Sequence, residues 1–137
     1  HLSIGVFSRA PSNDWLLKNF LMERAVVYSH QNGDAEESPA RTIERDLAAG
    51  KIDAGILWGP MAAMVVSSNP NKGWRSLPFP PEAQIRFDYQ ISMGIRHGEP
   101  EWKKTLDDWI SSHGAQIDTI LKNYRIPLVD ASGHLQM

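Results

Sequence analysis

Ala48-Ala49-Gly50-Lys51-Ile52-Asp53-Ala54-Gly55-Ile56-Leu57-Trp58-Gly59-Pro60 is the stretch that decides how this chain folds. Gly50 ends a helix, Ile52 to Trp58 is apolar enough for a central, parallel strand covered on both faces, and Gly59-Pro60 breaks it. Upstream, Ser38-Pro39 predicts a helix start, Ser38 as N-cap and Pro39 in the first turn, with Ile43 and Leu47 on the buried side. Further back, Leu2 to Phe7 reads as a strand and Arg9-Ala10-Pro11-Ser12-Asn13 as a turn. Ser12 or Asn13 is expected to cap a helix carrying Trp15, Leu16, Phe20 and Leu21. Ala25 to Tyr28 is a second strand, and the polar residues 29–37 a loop. Downstream, Met61 to Val66 makes a short apolar helix, and Asn69 to Glu82 a connection holding at most one short strand. Extended structure resumes over Ile85 to Arg96. Two helical stretches follow, Pro100 to Ser112 and Ala115 to Tyr124, divided at Gly114, and the tail after Pro127 has no periodicity. Strand and helix alternate, so the expected class is α/β with a mainly parallel sheet flanked by helices.

The 137 residues suit one ordinary domain, which buries roughly 70% of the unfolded chain's surface. Lys and Arg number 14 against 16 Asp and Glu, and no basic run follows a phosphate backbone, so a dedicated nucleic-acid binder is disfavoured. No apolar run reaches the ~20 residues of a membrane helix. With no cysteine, disulfide scaffolds, thiolate zinc sites and Cys nucleophiles are excluded. The chain opens on a strand without a signal-peptide core ahead of it, and we read it as a piece of a longer or cleaved parent.

Catalytic patterns are missing. His1, His30, His97, His113 and His134 are scattered, with no two at helical spacing, so no metal site is expected. Asp107-Asp108 are neighbours on a helix and point apart, as a solvated face does. No nucleophile elbow, phosphate loop or dinucleotide fingerprint occurs. The expectation is a protein without enzymatic activity and without a cofactor.

Two places have binding potential. Trp58-Gly59-Pro60 sits at the carboxyl end of a strand, where parallel sheets bind ligands and partners; the plainer alternative is a core Trp capping the sheet. Ser8-Arg9 with Ser12 and Asn13 lies between first strand and first helix, where free N–H groups and a guanidinium favour an anion. Against that, Pro11 removes a donor and surface arginines are common. Trp74, Trp102 and Trp109 suit partner anchors, although the seven-residue spacing of the last two also suits a core-facing stripe.

Leu2-Ser3-Ile4-Gly5-Val6, Ser38-Pro39-Ala40-Arg41, the Ala48–Pro60 stretch, Ile91-Ser92-Met93-Gly94-Ile95-Arg96 and the ending Ile126-Pro127-Leu128-Val129-Asp130 together form a known series. The chain resembles the second half of a type II periplasmic substrate-binding protein from Leu2 to about Asp130. More narrowly, it resembles the quinoprotein-dehydrogenase-associated branch, the J proteins of methanol-oxidation operons (the MxaJ and XoxJ type). Gly-Lys-Ile-Asp-Ala is common to the superfamily; Trp-Gly-Pro and Ile-Pro-Leu-Val-Asp are more specific.

The resemblance implies a two-lobed periplasmic parent whose first lobe is missing here. Residues 1–96 would then be the second lobe, and residues 97–137 C-terminal helices returning toward the absent lobe, with a loose tail. Apolar surface at Trp102, Leu106, Trp109 and Ile110 would be left open, so self-association or pairing with a separate first-lobe chain is expected. In amino-acid-binding relatives a Gly-Ser/Thr-Thr turn holds the ligand carboxylate and an Asp holds its amino group. Here those places carry Arg9-Ala10-Pro11-Ser12 and Trp58, which disfavours an ordinary amino acid. The implied function is an accessory factor that binds a PQQ-dependent methanol or alcohol dehydrogenase and assists its maturation or activation, through a cleft of Trp58, Gly59, Pro60, Arg9, Ser8 and Ser12. The alternative is a solute-binding protein of an ABC transporter for a small apolar or aromatic ligand. An effector domain of a transcription regulator shares the fold, but nothing like a helix-turn-helix precedes the first strand.

Overall fold

The computed structural model describes residues 2–29, 38–130 and 132–136. Residues 30–37 of the loop expected over 29–37, with His30, and the terminal His1 lie outside them. Three strands, β1 (Ile4–Phe7), β2 (Ala25–Tyr28) and β3 (Ala54–Ile56), form a parallel sheet in the order β2-β1-β3. Helix α1 (Pro11–Lys18) links β1 to β2, and α2 (Pro39–Ala48) lies between β2 and β3. Helices α3 (Gly59–Ser68) and α4 (Pro100–Asn123) follow. The class is α/β, as the alternation in the sequence predicts.

Each sheet face has its own helix, because successive strand residues point to opposite sides. Ile4 and Val6 meet Leu16 of α1, with Trp15, Leu21, Ala25 and Ile56 packed around them. On the other face Gly5 and Gly55 are register partners, and Ile43 of α2 lies over both. A β-carbon on Gly55 would fall 2.6 Å from Ile43 Cγ2, and one on Gly5 2.7 Å from Ile52 Cδ1 and 3.4 Å from Ile43 Cγ1. Two glycines side by side thus let α2 sit against bare backbone, and Ile43 is fully buried. Ser38 caps α2 as expected, its Oγ accepting from Arg41 N at 3.4 Å. Gly50, at φ 69°, closes the helix, with Lys51 N donating to Asp46 O at 2.9 Å.

Four expectations need correction. The apolar run ending at Trp58 is not central: among the described residues β1 is the middle strand and β3 lies beside it. Its apolarity reflects cover on both faces, which is independent of how many strands pair with its edges. Neither Ser12 nor Asn13 caps α1; Ala10 does, without a side-chain bond, because Pro11 has the φ of a first helical residue. Ser12 is buried in the first turn. Arg86 to Arg96 joins no ladder among the described residues; only an isolated antiparallel bridge, Glu82 with Ile85, precedes it. Tyr89, Ile91, Met93 and Ile95 keep a period of two yet stay exposed. Alternation says which face is apolar, but a strand also needs a neighbour for its N–H and C=O groups.

Lastly, α4 runs unbroken through Gly114. A mid-helix glycine costs about 1 kcal/mol relative to alanine, too little to break a helix of 24 residues. None of its residues is fully buried. Trp102 and Trp109 are about half exposed, so they form no core-facing stripe; Trp109 stacks instead on His113, ring centroids 4.3 Å apart. The Pro-rich connection is anchored to α1 by Phe79, edge-on to Trp15 at 4.8 Å and stacked on Phe87 at 4.7 Å, and by a Lys18–Glu82 ion pair.

Candidate functional site

From β1 the chain leaves to one side, toward β2, and β3 returns on the other. The gap between β1 and β3 is therefore the topological switch point, where the two following segments diverge and open a crevice at the carboxyl edge. Val6 is in register with Ile56, so the turn through Ser8-Arg9 and the turn through Trp58-Gly59-Pro60 leave that edge side by side. Topology thus brings the two sequence candidates to one place.

Their side chains have different surroundings. Ser8 is held in the sheet, its N–H donating to Tyr28 O at 3.1 Å. Arg9 is exposed and adopts φ 57°, a left-handed conformation that costs a non-glycine residue about 1–2 kcal/mol. Asn13 Nδ2 donates to Phe7 O at 3.0 Å, which ties the first turn of α1 to the end of β1. Its Oδ1 is buried and has no donor among the described residues, at a cost of roughly 1–3 kcal/mol. Ser12 lies beneath the surface and offers nothing at the rim.

Trp58 is 47% exposed, so the plainer reading of a core Trp does not describe it. Its carbonyl accepts from Ala62 N at 2.9 Å and starts α3, which fixes the backbone beneath the indole. Gly59 does admit a close neighbour: a β-carbon there would stand 2.8 Å from Pro127 Cγ. The segment after α4 thus seats its proline ring on the switch-point turn. Sequence reasoning found the glycine but not Pro127, since local pattern carries no sign of a contact so distant along the chain.

That C-terminal segment has more order than its lack of periodicity predicts. Gln136 N donates to Leu128 O at 2.8 Å, Val129 bridges Leu135, and Asp130 Oδ1 accepts from Ser132 N at 2.8 Å and His134 N at 3.0 Å. At the opposite edge of the sheet, Asp53 Oδ2 accepts from Ser3 N at 2.7 Å and Ser3 Oγ at 2.8 Å, clamping β1 to β3. Between β2 and α2, Tyr28 Oη donates to Asp46 Oδ2 at 2.7 Å. Burial, with Asp46 as acceptor, pushes the Tyr28 phenol up to about 12.

These bonds have a pH consequence. The Ser3 N–H and hydroxyl hold the Asp53 carboxyl below its ordinary value. The Tyr28 hydroxyl and Lys51 do the same for Asp46, and the His134 and Ser132 N–H groups for Asp130. The folded state then binds fewer protons than the unfolded one at these groups. Their contribution is whole above roughly pH 4 and is lost as the pH falls through the lower native values. Urea midpoints are expected to hold from pH 7 to 5 and to drop below pH 4, with a smaller acid drop in Asp53→Asn. Equal acid sensitivity in that variant would remove the Ser3 clamp from the account.

Among the described residues no group of three or more His, Asp or Glu could hold a metal ion, and no helix is long and apolar enough to cross a membrane. The chain is 26% identical over 122 residues to Protein MoxJ of Methylorubrum extorquens, a match covering 80% of this chain and 40% of MoxJ. It therefore spans well under two thirds of that relative. No protein-family model and no solved structure matches the chain.

Proposed function

We propose that this chain belongs to a non-enzymatic periplasmic accessory factor that binds a PQQ-dependent methanol or alcohol dehydrogenase and assists its maturation or activation. The observation that carries the reading is the half-exposed indole of Trp58 at the switch point of a chain similar to MoxJ. Where an amino-acid binder needs a carboxylate, this crevice presents a large aromatic. An indole lacks the formal charge with which a carboxylate pairs an amino acid's ammonium group, and a half-exposed tryptophan suits the centre of a protein interface. Arg9, exposed and held at positive φ beside it, adds a cation at the rim. In this reading Trp58, Pro60 and Arg9 face the partner, Gly59 receives the Pro127 ring and with Ser8 and Ser12 supports the turns, and no cofactor is held. Residues 1–96 act as the second lobe of the binding-protein fold. The apolar face of α4 in residues 97–137 is covered by a first-lobe segment or a second copy of the chain.

Calorimetric titration of the chain against cofactor-free quinoprotein alcohol dehydrogenase tests the proposal. Saturable binding is expected, and Trp58→Ala is expected to weaken it at least tenfold, about 1.4 kcal/mol, as at interface hot spots. A flat titration with folded chain and reconstitutable dehydrogenase would sink the partner reading. Binding indifferent to Trp58→Ala would move the interface elsewhere.

A further inference from the structure

Away from the crevice, two adjoining pockets meet at the carboxyl end of α4. One of ≈ 260 Å³ lies between Lys122, Arg125 and the C-terminal segment; the other, ≈ 360 Å³, lies between α3, Trp74 to Leu77 and Arg125. They share Ser76 and Arg125. The first lies just below and the second just inside the range of ligand sites, roughly 300–1,000 Å³.

The charge lining them is one-sided. Arg75, Lys122 and Arg125 contribute to the walls, and among the described residues no Asp or Glu does. This local excess stands out in a chain whose formal net charge is -2. None of the three cations has an ion-pair partner or a side-chain hydrogen bond among the described residues. The ordinary task of basic residues at a helix end is to cap its last carbonyls, and here the backbone performs it. Tyr124 N donates to Ile120 O at 3.1 Å, Arg125 N to Lys122 O at 2.8 Å and Ile126 N to Leu121 O at 3.0 Å. Arg125 takes φ 56° to make that closure, as glycine usually does at this position. The negative end of the α4 dipole, equivalent to about half a charge, is outweighed by three full positive ones. Beside Ser76 and Gln136, the remaining walls include the apolar side chains of Trp74, Leu77, Pro127 and Leu128.

We infer that this paired pocket binds a small organic anion, a carboxylate carried on an apolar or aromatic body. The carboxylate meets the Arg125, Lys122 and Arg75 side, where a guanidinium offers two parallel donors, and the apolar body lies toward Trp74 and Leu77. The site goes beyond the partner reading and does not rest on it.

The test is a titration of the chain with isophthalate, followed by the indole N–H resonances, with benzene-1,3-dimethanol as the uncharged match. Saturable binding of isophthalate with displacement of the Trp74 signal is expected, weakening as salt is added. Arg125→Asn combined with Lys122→Gln is expected to lower affinity about tenfold or more; asparagine keeps the left-handed backbone tolerable. Arg75→Gln, away from the helix closure, is a second variant expected to weaken binding without touching the fold. Arg9→Gln, in the crevice, is expected to leave it unchanged. Equal binding of the diol, binding indifferent to the charge-removing variants, or a response only to an acidic peptide and not to isophthalate would overturn the inference.

Discussion

Ile43→Ala is expected to lower the unfolding free energy by about 3–4 kcal/mol, seen as a urea midpoint lower by about 1–2 M. Ile43 is fully buried on α2 and lies over the paired backbones of Gly5 and Gly55, so truncation opens a void above two strand positions that have no β-carbon to fill it. A loss of that size is a large share of the roughly 5–15 kcal/mol by which domains are stable. Gly55→Ala tests the same contact from the other side. Its β-carbon would stand 2.6 Å from Ile43 Cγ2, a methyl one bond from a stiff branched Cβ that cannot swing away. Overpacking of this kind costs roughly 1–3 kcal/mol. In the Ile43→Ala background the obstructing methyl is gone, and Gly55→Ala is expected to become neutral or stabilising. A double-mutant cycle should therefore show coupling of about 1 kcal/mol or more. Additive losses would mean that α2 does not rest on the bare strands.

Gly59→Ala has the second large effect expected, and its sign is diagnostic. Gly59 opens α3, where alanine is ordinarily the better residue by up to about 1 kcal/mol. Here the new β-carbon would sit 2.8 Å from Pro127 Cγ and 3.2 Å from Pro127 Cδ. Either the ring or the start of α3 must move, and we expect a destabilisation of about 1–2 kcal/mol. Nuclear Overhauser contacts between the Pro127 ring and the Trp58-Gly59 backbone should weaken at the same time. Pro127→Ala removes the obstructing ring atoms, and Gly59→Ala should then be tolerated. A stabilising Gly59→Ala in the otherwise unaltered chain would show that the C-terminal segment does not seat on the crevice turn.

The elements around Ile52 to Trp58 were legible because their signals are local. Ser38-Pro39 and Gly50 mark helix ends by their own backbone chemistry, and the apolar runs at β1 and β3 need only be read in order. The candidate site was legible for a related reason: residues just past a parallel strand lie at the sheet's carboxyl edge whatever the sheet order. Where the structure differs from the sequence reading, the deciding factor lay outside the few residues read. Gly114 looked like a break because a glycine's effect on a helix was weighed without the length around it. Ile85 to Arg96 reads as extended structure because alternation is visible in the sequence and the presence or lack of a pairing edge is not. Asp53 looked like a common family residue, yet it clamps Ser3 across the foot of the sheet.

The sequence by itself determined the α/β class, the helix caps at Ser38 and Gly50, and the two turns that meet at the crevice, since these follow from backbone preference and the period of apolar residues. Tertiary structure alone decided that β1 and not β3 is the middle strand. It also decided that Gly5 and Gly55 pair beneath Ile43, that Pro127 closes on Gly59, and that Arg125 lines two adjoining pockets, one with Lys122 and the other with Arg75. The physical reason is the same in each case. A contact between residues far apart in the chain depends on two local structures being placed together, and neither carries in its own pattern the identity of the other.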